Sequence, residues 1–224
     1  MKNSNQKKKT FLQKVKYMYV DSVKELKVTN NLVLCAMMAA LSIVLSVTTS
    51  YYITPEIKVG FSGLPNRLVD FMFGPSVGCF FGGMMDLIKF FIKPDGVFFF
   101  GYTLTAMVAG LIYGTFFYNL QIKVPVKQLE EEQNASGKKR PRWMLWFLAN
   151  VKTILLIFIA EVLVKLLCNC GLNTLWSSMF TDKAYLALLP LRLTKNLIQI
   201  PIDTVLHFAV IVLFQQIHRY LVRE

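Results

Sequence analysis

Between Phe61 and Asn119 the chain is apolar enough to sit in a lipid bilayer, yet it carries Arg67, Asp70, Asp86, Lys89, Lys93 and Asp95. An ionised side chain in hydrocarbon costs about 3 kcal/mol or more, so such groups face a bundle interior, a cavity or an interface. The turn signals Gly74-Pro75 and Lys93-Pro94-Asp95-Gly96 divide the stretch into helices. Gly78 with Gly82, and Gly110 with Gly114, mark faces on which helices can approach closely. Charges concentrated in hairpin-linked apolar segments predict a polar pocket inside a membrane protein, one that binds or carries a charged solute.

Composition agrees. Of 224 residues, 54% are hydrophobic and only 17% charged, against about 25% charged in soluble domains. The apolar residues run in long blocks, Leu32–Val47, Val97–Leu120, Trp143–Cys168 and Ala184–Leu213, and some exceed the roughly 20 residues that span hydrocarbon. The apolar stretch behind the basic N-terminus is too long for a cleaved signal, so Leu32 onward reads as a retained first helix. The net charge of +12 gathers in Met1–Lys27, Lys123–Arg142 and the last residues. That is the pattern of cytoplasmic loops; a nucleic-acid partner would need a soluble basic face with interleaved aromatics, which is missing. The partner implied is the lipid bilayer.

Little in the sequence points to catalysis. There is no Walker A pattern and no nucleophile–base set. Cys35, Cys79, Cys168 and Cys170 lie in or beside apolar runs and read as small buried hydrophobes. His207 and His218 have no acidic residue at metal-ligand spacing, so neither a metal nor a cofactor is expected. An energy source for uptake would be a gradient or another subunit.

The expected fold is an all-α membrane protein with six transmembrane helices, both termini cytoplasmic and a ligand cavity facing outward. Residues 1–30 form a basic cytoplasmic segment, in which Phe11, Val15, Tyr19 and Val23 recur at helical spacing as in an interfacial helix. Residues 31–224 form the membrane domain, with a cytoplasmic loop at about 121–142. Helix 1 is expected over Leu32–Thr49, helix 2 over Phe61–Phe73, helix 3 over Ser76–Ile92 and helix 4 over Gly101–Leu120. Helices 5 and 6 start near Trp143 and Ala184. About thirteen residues in helix 2 reach ~20 Å of a ~30 Å hydrocarbon core. The missing length adjoins Tyr51–Phe61, so this loop is expected to cover the cavity, with Tyr51, Pro55, Gly60 and Phe61 in the lid.

Cations outnumber acids around the outer half: Lys58, Arg67, Lys89, Lys93, Lys183, Arg192 and Lys195 against Glu56, Asp70, Asp86, Asp95 and Asp182. Guanidinium and ammonium groups beside an apolar cavity favour a carboxylate or phosphate on the solute. Asp86 and Lys89, three apart on one helix, can instead pair with each other. Phe98, Phe99, Phe100, Tyr102 and Trp176 gather at outer ends with Asn169 and Asn173, and Asn196 adjoins Lys195. An interfacial aromatic belt accounts for any one of these rings. As a set with amides they equally suit a flat heteroaromatic ring. The ligand-binding candidates are therefore Arg67, Lys89, Lys93, Phe98, Tyr102, Asn169, Asn173, Trp176, Arg192, Lys195 and Asn196. Ala36 and Ala40, one turn apart on helix 1, admit close approach of another helix, whether internal or from a partner.

The pattern as a whole resembles the S components of energy-coupling factor (ECF) vitamin transporters, and among them the folate-specific family. The resemblance rests on Gly60-Phe61-Ser62-Gly63-Leu64-Pro65-Asn66-Arg67-Leu68, Phe73-Gly74-Pro75, Gly82-Gly83 through Asp86, and Lys93-Pro94-Asp95-Gly96. It continues through Phe98-Phe99-Phe100-Gly101-Tyr102-Thr103-Leu104, Gly110–Gly114, Leu172-Asn173-Thr174-Leu175-Trp176, and Leu186–Arg192 with Lys195-Asn196-Leu197-Ile198. It implies a vitamin-binding subunit of a multi-pass bacterial membrane importer that works with a transmembrane T subunit and two ATPases. It also implies that Ala36 and Ala40 meet the T subunit. Folate, a flat pterin joined to a dicarboxylate tail, suits both the aromatic–amide set and the cations. An S component for tryptophan or a thiazole is the alternative, and a stand-alone secondary transporter a more distant one, since no inverted repeat stands out.

Overall fold

In the computed structural model the described residues are 11–49, 51–54, 57–94, 98–118, 120, 122, 142–180 and 184–221; residues 11–16, 51–54, 57–59, 142, 143, 145 and 217–221 are described by their backbone alone. Helix α1 (Phe11–Glu25) precedes α2 (Thr29–Thr48). A short antiparallel hairpin of β1 (Tyr51–Thr54) and β2 (Ile57–Val59) follows, pairing Tyr51 with Val59 and Tyr52 with Lys58. Then come α3 (Leu64–Ile92), α4 (Phe100–Phe117), α5 (Arg142–Val164), a π-helical stretch (Lys165–Leu172), α6 (Asn173–Phe180) and α7 (Tyr185–Leu221).

Helix α3 is two arms, not one rod. Gly74 has φ 83° and ψ −170°, a conformation in the left-handed half of the map that glycine reaches without steric penalty. Pro75 cannot donate an amide hydrogen to the preceding turn. The chain reverses there, and the arms lie against each other so closely that Lys89 Nζ donates to the carbonyl oxygen of Ser62 at 3.2 Å. Val69 and Phe73 from one arm share a core with Val77, Phe81 and Met85 from the other and with Cys35 of α2. With the arms counted separately, and α5 to α6 as one passage, the described residues form six helical segments besides α1. Among the described residues α2, α4 and Tyr185–Gln216 are long and apolar enough to cross a membrane as single rods, and α3 is so only with its two arms counted together.

Three expectations need adjustment. The loop Tyr51–Phe61 contains the β hairpin. The first arm of α3 starts at Leu64 rather than Phe61, which makes it shorter still. Helix α4 ends at Phe117, not Leu120. The expected helix at the N-terminus is present as α1. Its buried Ser22 accepts a hydrogen bond from the Val77 amide (3.1 Å) and donates to the carbonyl oxygen of Phe73. These are the backbone groups that the break at Gly74-Pro75 leaves open, so α1 splints the reversal.

The second arm of α3 packs antiparallel on α4 with almost no side chain between them. A methyl group added to Gly110 would lie 2.2 Å from the carbonyl oxygen of Gly78, and one added to Gly114 would lie 2.4 Å from Cα of Pro75. Backbone cannot yield as a side chain can, so these glycines are required by proximity rather than by conformation. Gly110→Ala is expected to push the two helices apart and cost about 1–3 kcal/mol, the range for overpacking. Thermal unfolding of the purified protein in detergent checks this; an unchanged midpoint would show that the helices part freely.

Candidate functional site

A cavity of about 850 Å³ lies between the first arm of α3, α4, the start of the π-helical stretch and α7. Helix α7 supplies a winding stripe of paired positions, Pro190/Leu191, Thr194/Lys195, Ile198/Gln199, Ile202/Asp203 and Leu206/His207. From Pro190 to His207 the stripe runs ~25 Å at the helical rise. Gly60, Phe61, Gly63 and Leu64, between the β hairpin and α3, line it as well. The space is long, mostly apolar and punctuated by polar groups, the usual make-up of a small-molecule site.

The polar groups are tied to one another. Arg67 Nη1 lies 2.8 Å from Asp70 Oδ2, and its guanidinium sits 3.7 Å from the centroid of the Tyr113 ring. The Arg67–Asp70 contact is an ion pair by distance, yet neither of those two atoms makes an aligned hydrogen bond; we read it as a charge pair held by proximity. Tyr113 donates its hydroxyl to Glu161 at 2.9 Å, and the other oxygen of Glu161 lies 2.6 Å from Nδ1 of His207. One turn along α7, Asp203 meets the Lys165 ammonium at 2.7 Å. Glu161 is fully buried and Asp70 nearly so. Removing one partner from such a pair costs about 3–5 kcal/mol, because it strands a charge in a low-dielectric interior.

Of the residues singled out from the sequence, Arg67, Asn169 and Lys195 line the cavity, together with Gly60 and Phe61 from the expected lid. Asn173 and Asn196 stand behind Asn169: Asn173 Nδ2 donates to Asn169 Oδ1 (3.3 Å) and Asn169 Nδ2 to Asn196 Oδ1 (3.5 Å). Trp176 Nε1 donates to Thr105 Oγ1 (3.0 Å), Tyr102 shares a hydrogen bond with Ser177 (3.0 Å), and Arg192 donates to the same Ser177. These last residues hold α4, α6 and α7 together beside the cavity. Lys89 reaches Ser62, and Asp86 accepts from Thr103 Oγ1 at 2.8 Å. Phe98 packs against Phe90 with ring centroids 5.1 Å apart; neither it nor Lys93 is among the described lining residues. Pro55 lies outside the described residues, and Tyr51 is described by its backbone alone. Ala36 and Ala40 are exposed on α2, in a stripe with Leu32, Val33 and Met37.

Sequence reasoning missed Glu161, Lys165, Asp203 and His207. The signal was available: each is an ionisable residue within or beside an apolar run, the criterion already applied to Phe61–Asn119. His207 has no metal-ligand spacing, and its partner Glu161 lies forty-six residues away in sequence.

The same arrangement has relatives. Residues 30–211 match the family of ECF transporter substrate-specific components. The chain is 31% identical over 184 residues to the folate transporter FolT of Clostridium novyi (strain NT), covering 82% of this chain and 89% of that protein. It is 29% identical over 180 residues to FolT of Leuconostoc mesenteroides subsp. mesenteroides, covering 78% and 80%. A crystal structure of FolT bound with folic acid shares the fold, with a TM-score of 0.62, 24% identity, and coverage of 81% of this chain and 92% of that one. Members of this family are substrate-binding components of transporters rather than enzymes. This chain belongs to the family of ECF transporter substrate-specific components.

Proposed function

We propose that this chain is the folate-binding subunit of an ECF-type importer in a bacterial cytoplasmic membrane. It would capture folate outside and release it inward through a T subunit and two ATPases. The observation that carries the reading is the cavity: about 850 Å³, elongated along α7, with Lys195 and Asn169 towards its hairpin end and paired charges deeper in. A rigid, flat ring linked to an acidic tail fits such a slot, and both curated relatives carry the name of a folate transporter. The lysine-rich segments support a cytoplasmic location for the termini and the Gly74 reversal and an outer one for the β hairpin, with Gly60 and Phe61, which line the cavity, at the entrance. Lys195, Arg67 and Asn169 are assigned to ligand contact and Asn173 and Asn196 to orienting Asn169. Lys89, Lys93, Phe98, Tyr102, Trp176 and Arg192 complete the wall at the hairpin end once the lid closes.

Folate should bind the isolated chain without ATP or partners, because this chain alone builds the cavity. Titration calorimetry in detergent with folic acid and with tryptophan separates the readings; heat with tryptophan and none with folic acid would reassign the solute. Lys195→Ala should weaken folic acid about ten- to a hundredfold, the worth of one charge-assisted contact in a partly dry site. It should weaken pteroic acid, which lacks the glutamate tail, much less. Equal losses for both ligands would move Lys195 away from the tail.

Coupling is assigned to the exposed stripe on α2. Two alanines one turn apart with no side chain over them leave room for a second helix, and packing of that kind tolerates little added bulk. Ala36→Trp and Ala40→Trp should leave folate binding by purified protein intact and abolish uptake in cells carrying the whole importer. Undiminished uptake would show that no partner docks there.

A further inference from the structure

We propose that the Lys165–Asp203 pair reads the hydrogen-bonding edge of the bound ring and selects a 4-oxo pteridine over a 4-amino one. This deepens the folate reading above and rests on it. Both side chains line the cavity, Lys165 from the start of the π-helical stretch and Asp203 from α7. Their ammonium and carboxylate lie 2.7 Å apart, and the side chains are 8% and 18% exposed. An ammonium has three donors and a carboxylate about four acceptor sites, so the contact between them leaves capacity on both groups. The pair therefore offers the cavity an acceptor and a donor side by side.

A pterin edge carries the matching set. Its N3–H and 2-amino group are donors that a carboxylate can accept together, and its 4-oxo oxygen, adjacent to N3, is an acceptor for an ammonium. In the 4-amino analogue N3 has no hydrogen and a donor replaces the oxygen, so a donor faces the Lys165 ammonium. A site built to satisfy a hydrogen-bonding edge rejects the analogue that leaves buried groups unpaired. The neighbouring charges have other calls on them, since His207 is held by Glu161 and Arg67 by Asp70 and the Tyr113 ring. Along α7, Asp203 follows Lys195 by eight residues, ~12 Å at the helical rise. That spacing sets the ring deep and the acidic tail towards the hairpin end.

The test uses the detergent-purified full chain and calorimetry with folic acid, pteroic acid and the 4-amino analogue of folic acid. The parent should bind folic acid at least about tenfold tighter than the 4-amino analogue. Asp203→Asn should weaken folic and pteroic acid by the same factor, and Lys165→Met should bring the 4-oxo and 4-amino affinities together. Exchanging the charges, Lys165→Asp with Asp203→Lys, keeps an ion pair while swapping donor for acceptor, and should reverse the preference. This exchanged variant decides the matter if either single variant fails to fold. A parent that binds folic acid and its 4-amino analogue equally overturns the proposal. So does an unchanged preference in variants that unfold at the parent's temperature, or an Asp203→Asn effect on folic acid absent with pteroic acid. A parent that binds no folic acid sinks the folate reading and this proposal with it, whereas the other failures leave that reading standing.

Discussion

A charge carried into hydrocarbon has to bring its partner, and most of the interior of this protein follows from that demand. Arg67 arrives with Asp70 one turn along the same helix, so the short first arm of α3 delivers a nearly neutral pair. Glu161 comes from α5 and finds its partners only after folding, in Tyr113 of α4 and His207 of α7. Lys165 and Asp203 likewise meet only when the π-helical stretch packs on α7. The pairs thus tie α4, α5 and α7 together around the cavity. Mispacking of these helices would strand a buried charge, so the polar interior selects one arrangement even where its net contribution to stability is small.

The glycine contacts supply the rigid side of the same structure. Where Gly78 and Gly110 touch backbone to backbone, the second arm of α3 and α4 behave as one slab. In lipid, where burying apolar surface between helices gains little, close packing of this kind is what holds helices together. Tyr113 stands on that slab beside Arg67, so one wall of the cavity is fixed. The opposite wall, α7, has Pro190 and Pro201 within it. Each removes an intrahelical hydrogen bond next to lining residues, so the cavity joins a stiff wall to one that is easier to bend.

Much of this was legible in the sequence, for a physical reason. Apolar runs of spanning length, the Gly74-Pro75 break and the paired glycines are local signals, each interpretable without knowing what lies across the bundle. The helix at the N-terminus was legible from period, but its role was not. Only the fold shows Ser22 satisfying the backbone groups of Phe73 and Val77 some fifty residues away. The site divides in the same way. Arg67, Asn169 and Lys195 were visible as polar residues in a helical or amide-rich context. Glu161, Lys165 and Asp203 sit singly in long apolar runs, and their meaning is a matter of which helix faces which. Trp176 and Tyr102 looked like ring-stacking candidates, yet each spends its polar atom on a neighbouring helix, Trp176 on Thr105 and Tyr102 on Ser177. A propensity for aromatic residues at helix ends cannot distinguish these uses.

The cavity and the exposed alanines lie on different helices. The cavity borders the β hairpin at Gly60 and Phe61 and is walled by α3, α4, the π-helical stretch and α7, whereas Ala36 and Ala40 are exposed on α2, a helix that contributes no described lining residue. They are joined by the core that Cys35 of α2 shares with Val69 and Phe73 of the first arm of α3, and by one polar contact. The Ser42 hydroxyl of α2 lies 2.6 Å from the carbonyl oxygen of Ser62 and 2.9 Å from Asn66 Oδ1, two acceptors for its one proton, in the segment that carries Phe61, Gly63 and Leu64 along the cavity and continues to Arg67. Displacement of α2 would act through both on the segment that carries Phe61, Gly63 and Leu64, and not directly on the Glu161–His207 and Lys165–Asp203 pairs of the floor, which lie on other helices. Movement of that segment strains the hydrogen bond of one serine hydroxyl, worth about 1 kcal/mol. Movement at the floor would break ion pairs at several times that cost. Displacing α2 therefore costs least where it moves the hairpin-end segment and most where it would separate those charges.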